Sequence, residues 1–173
     1  MKLPSTLLVF VVSALLALGL VMLYSATMFH RSGGFWSAQL LWCCIGVVVC
    51  LGAAMSDYQL LKKVSVPALV LALLLLVAVM IPGIGLERNG ARRWLNLGFS
   101  FQPSEFLKPG FAITLAWIMS WKLKDPNMPV FGLVTAALAL VVGLLMAQPN
   151  LGDAILFTGV WFVLVLLGGV SAR

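Results

Sequence analysis

Long apolar runs separated by short polar breaks dominate the chain. The runs cover residues 7–28, 40–55, 64–81, 106–121, 130–146 and 154–169. The breaks are HRSGGFWSAQ, SDYQLLKK, the stretch from PGIG to residue 105, KLKDPNMP and the tight turn QPNLG. A helix needs about 20 mostly apolar residues to cross a bilayer. The pattern therefore predicts an all-α polytopic membrane protein with about six transmembrane helices. It is read as a single integral membrane domain over residues 1–173, with no sequence repeat.

Composition points the same way. Of 173 residues, 62% are hydrophobic and only 9% are charged. A soluble domain carries about 25% charged residues. A soluble core of this size cannot bury so much apolar surface, so lipid is the natural solvent. The net charge of +6 comes from 11 basic residues scattered over many breaks. Scattered cations are topology signals and headgroup contacts, not a nucleic-acid patch. Cys43, Cys44 and Cys50 lie in one apolar run with no CxxC spacing and no partnering histidine, so they read as small apolar helix residues. His30, the only histidine, reads as a loop residue. The first run is too long for the core of a cleavable signal, and is read as an uncleaved first span.

Lysine and arginine in short loops set orientation. With the N-terminus inside, the inner side holds Lys2, Lys62, Lys63, Lys122, Lys124 and Arg173, and the outer side holds Arg31, Arg88, Arg92 and Arg93. That favours a cytoplasmic N-terminus. Three of the four outer charges come from one stretch, ERNGARRWLNLGFSFQPSEFLK, residues 87–108. This stretch runs against the topological rule, which implies another reason for its charge.

Its residues suggest what that reason is. Arg92 and Arg93 precede Trp94, an interfacial anchor type, and arginine forks suit phosphate or carboxylate. Gly90 and Gly98 allow turns around the cluster. Pro103 suits the first position of a helix, with Ser104 and Glu105 in its first turn. Glu105 and Lys108 are three apart, so on a helix they share a face and can pair. Pro109 either kinks the fourth span or marks its true start. Two readings of these residues stand side by side. One is a solvated loop with an interfacial salt bridge; the other is a site for an anionic, lipid-linked diphosphate. Trp36, Trp94, Trp117 and Trp121 fit interface belts, Tyr24 and Ser25 fit core packing, and Asp57 and Tyr58 fit a cap or anchor.

The stretch NGARRWLNLGFSFQPSEFLK closely resembles the signature of the SEDS family (shape, elongation, division and sporulation), which includes FtsW, RodA and SpoVE. GLVMLYSAT, residues 19–27, resembles the end of that family's first span. QPNLGDAILF resembles its turn between spans five and six. PGIGLERNGARRW is closer to the FtsW branch. The resemblance covers essentially the whole chain, as the front part of a ten-span fold.

The resemblance implies a peptidoglycan glycosyltransferase that polymerises lipid II during cell division, in the bacterial cytoplasmic membrane. It implies a class B penicillin-binding protein and other divisome membrane proteins as partners. It places the family's catalytic aspartate in an outer loop after span seven. The chain is therefore expected to be a truncated piece, inactive alone, with no catalytic residue of its own. It implies that Arg92, Arg93 and Lys108 contact the diphosphate or its sugar, with Glu105 orienting Lys108 or Arg93. Gln102, Pro103 and Ser104 would shape the entry to span four, and Asn150 and Asp153 would line the opposite wall. Asn150 stands where the family usually has Asp, and Asp153 where it usually has Thr. No cofactor is identified, and room is left for a divalent metal ion. A lipid II flippase and a non-catalytic divisome scaffold are the alternatives. A flippase predicts polar groups through the membrane depth, whereas the spans are nearly bare of charge between their ends.

Overall fold

The computed structural model describes residues 3–27, 34–88, 90–96, 98–123, 125 and 127–168. His30, and the topology signals Lys2, Arg31, Lys124 and Arg173, lie outside the described residues. Six helices follow in order: α1 (Leu3–Thr27), α2 (Gly34–Met55), α3 (Tyr58–Met80), α4 (Pro103–Ser120), α5 (Val130–Ala147) and α6 (Leu151–Leu167). Between α3 and α4 lie three short strands, β1 (Gly85–Arg88), β2 (Ala91–Asn96) and β3 (Ser100–Phe101). The fold is the expected polytopic helical one, with a small antiparallel sheet, ordered β1-β2-β3, where the polar pattern reads as loop.

Helix starts differ most from the expectation. α2 begins at Gly34 and α3 at Tyr58, each six residues before its apolar run. Polar residues are tolerated in a first helical turn, so hydropathy alone places a start too late. The connector before α3 shrinks to Ser56 and Asp57. Asp57 is the N-cap, and its carbonyl accepts from Leu60 and Leu61 at 3.0 and 3.1 Å. α4 begins at Pro103, its N1 position, so Pro109 lies inside the helix and does not mark its start.

By length and composition, α1, α2, α3 and α5 contain segments able to cross a membrane. α6 is apolar but one residue shorter than α5, and α4 carries Glu105 and Lys108 near its start. The helices form two compact units, Met1–Ser56 and Asp57–Arg173. In the first, Tyr24 of α1 meets Trp36 of α2 edge to face, with ring centroids 5.4 Å apart.

The second unit holds the core. Leu76, Leu107, Phe111, Val134, Leu145 and Phe157 are essentially fully buried. Phe111 and Phe157 join α4 to α6 edge to face at 5.0 Å. Outside this core Leu71, Leu74, Leu140, Ile155 and Phe162 are all exposed. Such a surface calls for an apolar neighbour, either lipid or another protein face.

α3 and α4 pack closely because Gly110 has no side chain. A Cβ there would lie 3.3 Å from the Leu69 backbone nitrogen and 3.4 Å from the Ser65 carbonyl oxygen. Gly85, where β1 leaves α3, is tighter still. A Cβ there would lie 2.0 Å from the Val79 carbonyl oxygen. Backbone cannot yield cheaply, so Gly85→Ala is expected to destabilise the protein by about 1–3 kcal/mol. Gly132→Ala, where a Cβ meets nothing within 4 Å, is expected to be neutral or slightly stabilising. Thermal unfolding in detergent micelles checks the contrast.

Candidate functional site

The polar residues gather at the end of the second unit where α3 and α5 finish and α4 and α6 begin. The sheet is built there from a hairpin. Arg88 pairs with Ala91 across the hairpin. Gly90 has φ +75°, a conformation that glycine adopts freely. Gly98, at φ +85°, serves the turn into β3.

The ladder slips one residue in the middle of β2. Leu86 pairs with Trp94 and Glu87 with Arg92, so Arg93 is the extra residue of a β-bulge. Bulges re-aim side chains. The two adjacent arginines consequently part company. Arg92 stays opposite Glu87, and its Nε donates to the Glu87 carboxylate at 3.0 Å. Arg93 reaches the turn after α5. Its Nε donates to the Gln148 carbonyl at 3.1 Å, and its second guanidinium nitrogen donates to the Pro149 carbonyl. These carbonyls lie just past a helix C-terminus, where acceptors lack helical partners and a cation suits the helix dipole. Gln148 is itself buried, and its side-chain amide donates to the Leu76 carbonyl of α3 at 2.6 Å.

The centre of the end is the Asp153 carboxylate, in the first turn of α6. Asn150 is the N-cap of that helix, and its Oδ1 accepts from the Asp153 backbone N–H at 3.5 Å. The Asn150 amide in return donates to Asp153 Oδ2 at 2.6 Å. Ser104, buried in the first turn of α4, donates to the same oxygen at 2.7 Å. Gln102, the N-cap of α4, reaches it at 3.4 Å and also donates to Ser104 Oγ at 2.9 Å. Lys108 Nζ lies 3.2 Å from Asp153 Oδ1 and 2.6 Å from Glu105 Oε1. Two carboxylates thus share one ammonium.

The structure brings Gln102, Ser104, Lys108, Asn150 and Asp153 together, with Glu105 on the outer side of Lys108. Asp153 meets α4 directly, through Ser104 and Lys108, and Asn150 reaches the same carboxylate from the cap of α6. Glu105 pairs with Lys108, whereas Arg93 goes to the α5–α6 turn. Arg92 stands apart and lines a cavity of about 350 Å³ with Met80, Glu87, Gly90, Gln148 and Pro149. Glu87 and Gln148 have sequence signals that polarity alone does not bring out. Glu87 stands across an Asn-Gly sequence from the arginines, and Gln148 opens the break between two apolar runs. Among the described residues no three of His, Cys, Asp and Glu gather to hold a metal ion. The two acidic groups nearest each other flank the Lys108 ammonium, which repels a cation.

The cell cycle protein family that groups FtsW, RodA and SpoVE matches residues 5–173. A protein of Trichlorobacter lovleyi named "Probable peptidoglycan glycosyltransferase FtsW" is 36% identical over 171 residues, which are 94% of this chain and 45% of that protein. Stage V sporulation protein E of Bacillus subtilis is 36% identical, over 96% of this chain and 48% of that one. The crystal structure of Thermus thermophilus rod shape determining protein RodA superimposes with a TM-score of 0.81 at 33% identity. That match covers 96% of this chain and 54% of RodA. A peptidoglycan synthase complex, described for its coordination of polymerization and crosslinking, contains a chain that matches with a TM-score of 0.79 at 32% identity, over 94% of this chain and 47% of that one. The chain thus spans about half the length of the relatives it matches.

The geometry makes Asp153 a structural keystone. Asp153→Ala removes the acceptor for Ser104 and Asn150 and one of the two partners of Lys108. It is expected to destabilise the protein by roughly 3–5 kcal/mol. Asp153→Ala combined with Lys108→Met is expected to cost less than the sum of the single changes. Denaturant unfolding of the four proteins in micelles measures that coupling; simple additivity would contradict the network.

Proposed function

The chain belongs to the FtsW/RodA/SpoVE family of cell cycle proteins, and from that premise we propose that it supplies the diphosphate-gripping part of a peptidoglycan glycosyltransferase acting on lipid II. The observation that carries this reading is Arg92, placed on a cavity of about 350 Å³ and held, among the described residues, by the exposed Glu87. A diphosphate offers a stronger, bidentate partner than one solvated carboxylate. Lys108 adds a second cation. An ammonium has three N–H donors, and Glu105 and Asp153 take two. Arg93 adds a third cation, and its hydrogen-bond partners are neutral backbone carbonyls.

In glycosyl transfer a sugar hydroxyl of one lipid II attacks the anomeric carbon of the growing chain, and undecaprenyl diphosphate departs. Charge builds on the leaving diphosphate. Cations that grip it better in the transition state lower the barrier. Arg92, Arg93 and Lys108 are assigned to that grip. Glu105 and Asp153 orient Lys108, and Gln102, Ser104 and Asn150 orient Asp153. We assign no general base within residues 1–173, and no step passes through a metal ion.

This reading puts the multi-pass chain in the cytoplasmic membrane of a bacterium, N-terminus inside, with the sheet on the outer face. A class B penicillin-binding protein and other divisome membrane proteins are the proposed partners. Transport of lipid II is less well supported. Among the described residues of α3 to α6 every charged side chain lies near a helix end, which leaves no charged path through the bundle.

Binding of undecaprenyl diphosphate to the purified chain in micelles tests the grip. Arg92→Ala is expected to weaken it about tenfold, the loss of one charge-assisted hydrogen-bonded pair. Lys63→Ala, at the other end of α3, is expected to leave it unchanged. Equal binding by all three proteins would overturn the assignment.

A further inference from the structure

The far end of the second unit carries a groove that the polar network does not use. It lies between the last turns of α4 and α6. Ala116, Met119, Ser120, Lys122, Leu164 and Gly168 are among the residues that line its volume of about 570 Å³. That is within the usual size range for a small-molecule site. The walls are apolar except for Ser120 and Lys122, and the Ser120 hydroxyl is already committed to the Trp117 carbonyl at 2.6 Å.

Lys122 is the distinctive residue. It sits in the 3-10 turn Trp121–Leu123 that ends α4, half-buried, and forms no ion pair among the described residues. Among the described residues no carboxylate lines the groove. The nearest acidic residue along the chain, Asp125, accepts instead from the Asn127 backbone N–H at 2.9 Å. Beside the groove Trp117 and Trp121 meet edge to face at 5.1 Å, and Lys62 Nζ sits 5.0 Å from the Trp117 ring centre. Paired tryptophans with lysines mark the level of lipid headgroups. A mostly apolar groove with the Lys122 cation on its wall, beside tryptophans at headgroup level, matches an amphiphile with an apolar tail and an anionic head.

We propose that this groove is a binding site for an anionic phospholipid. One acyl chain lies along Met119 and Leu164, and the headgroup phosphate is paired with Lys122. The site is separate from the diphosphate grip, which lies at the opposite end of α4, and stands or falls independently of it.

Native mass spectrometry tests the proposal on the whole chain released from bilayers of equal phosphatidylglycerol and phosphatidylcholine. The wild type is expected to retain phosphatidylglycerol over phosphatidylcholine by about five-fold, the preference one lysine near a headgroup confers. Lys122→Gln should bring the ratio close to one, while Lys63→Gln, an exposed lysine outside the groove, should keep it. Leu164→Trp, which fills the trough, should lower retention of both lipids. Equal retention by the wild type, or a preference that survives Lys122→Gln, would overturn the proposal. Equal retention would mean that a neutral lipid or a protein segment covers the groove; a surviving preference would mean that a cation other than Lys122 selects the lipid.

Discussion

A buried carboxylate has to be satisfied, and the second unit is arranged around one that is. Asp153 draws donors from the cap of its own helix and from two successive turns of α4. The gain is geometric as much as energetic. In lipid, apolar side chains give helices little reason to prefer one register over another, because lipid tails are as apolar as leucine. A carboxylate that needs Ser104, Asn150 and Lys108 together permits one register only. The starts of α4 and α6 are thereby fixed against each other.

The sheet is tied to the same end by a second polar device. The bulge at Arg93 turns its guanidinium away from the ladder and onto the carbonyls that follow α5. Gln148, in the same turn, reaches back to Leu76 on α3. Four helix ends and a hairpin thus meet through side-chain bonds, those of Arg93 to carbonyls just past the end of α5 among them. What remains uncommitted to this framework is the guanidinium of Arg92, over its cavity. In the seven charged residues of this end, four basic groups stand against three acidic ones. The end is therefore only weakly cationic. A bound anion has to compete with Glu87 and Glu105, both half exposed, and not with the buried Asp153.

Much of this was legible in the residue pattern. The six apolar runs mark the six helices, and the spacing of Glu105 and Lys108 marks their pair. Gly90 and Gly98 mark turns because positive φ is cheap only for glycine. The start of α4 at Pro103 follows from the same local rules. Other features had no such local cause. Hydropathy misses the first turns of α2 and α3, since a polar first turn is indistinguishable from a loop. The hairpin is announced by Asn89-Gly90, yet the charge around it reads more readily as a solvated break. The separation of Arg92 from Arg93 depends on a one-residue slip against Leu86 and Glu87, and no periodicity encodes that. Gln148 and Pro149 become partners of Arg93 only when residues 55 and 56 positions apart are folded together.

The most direct test is to locate the diphosphate itself. A crystal structure of the chain grown in a lipid phase with undecaprenyl diphosphate would do so. The account predicts phosphate oxygens within hydrogen-bond reach of the Arg92 guanidinium, in the cavity between the hairpin and the α5–α6 turn, with Glu87 displaced. A diphosphate bound elsewhere, with the Glu87–Arg92 pair intact, would contradict it.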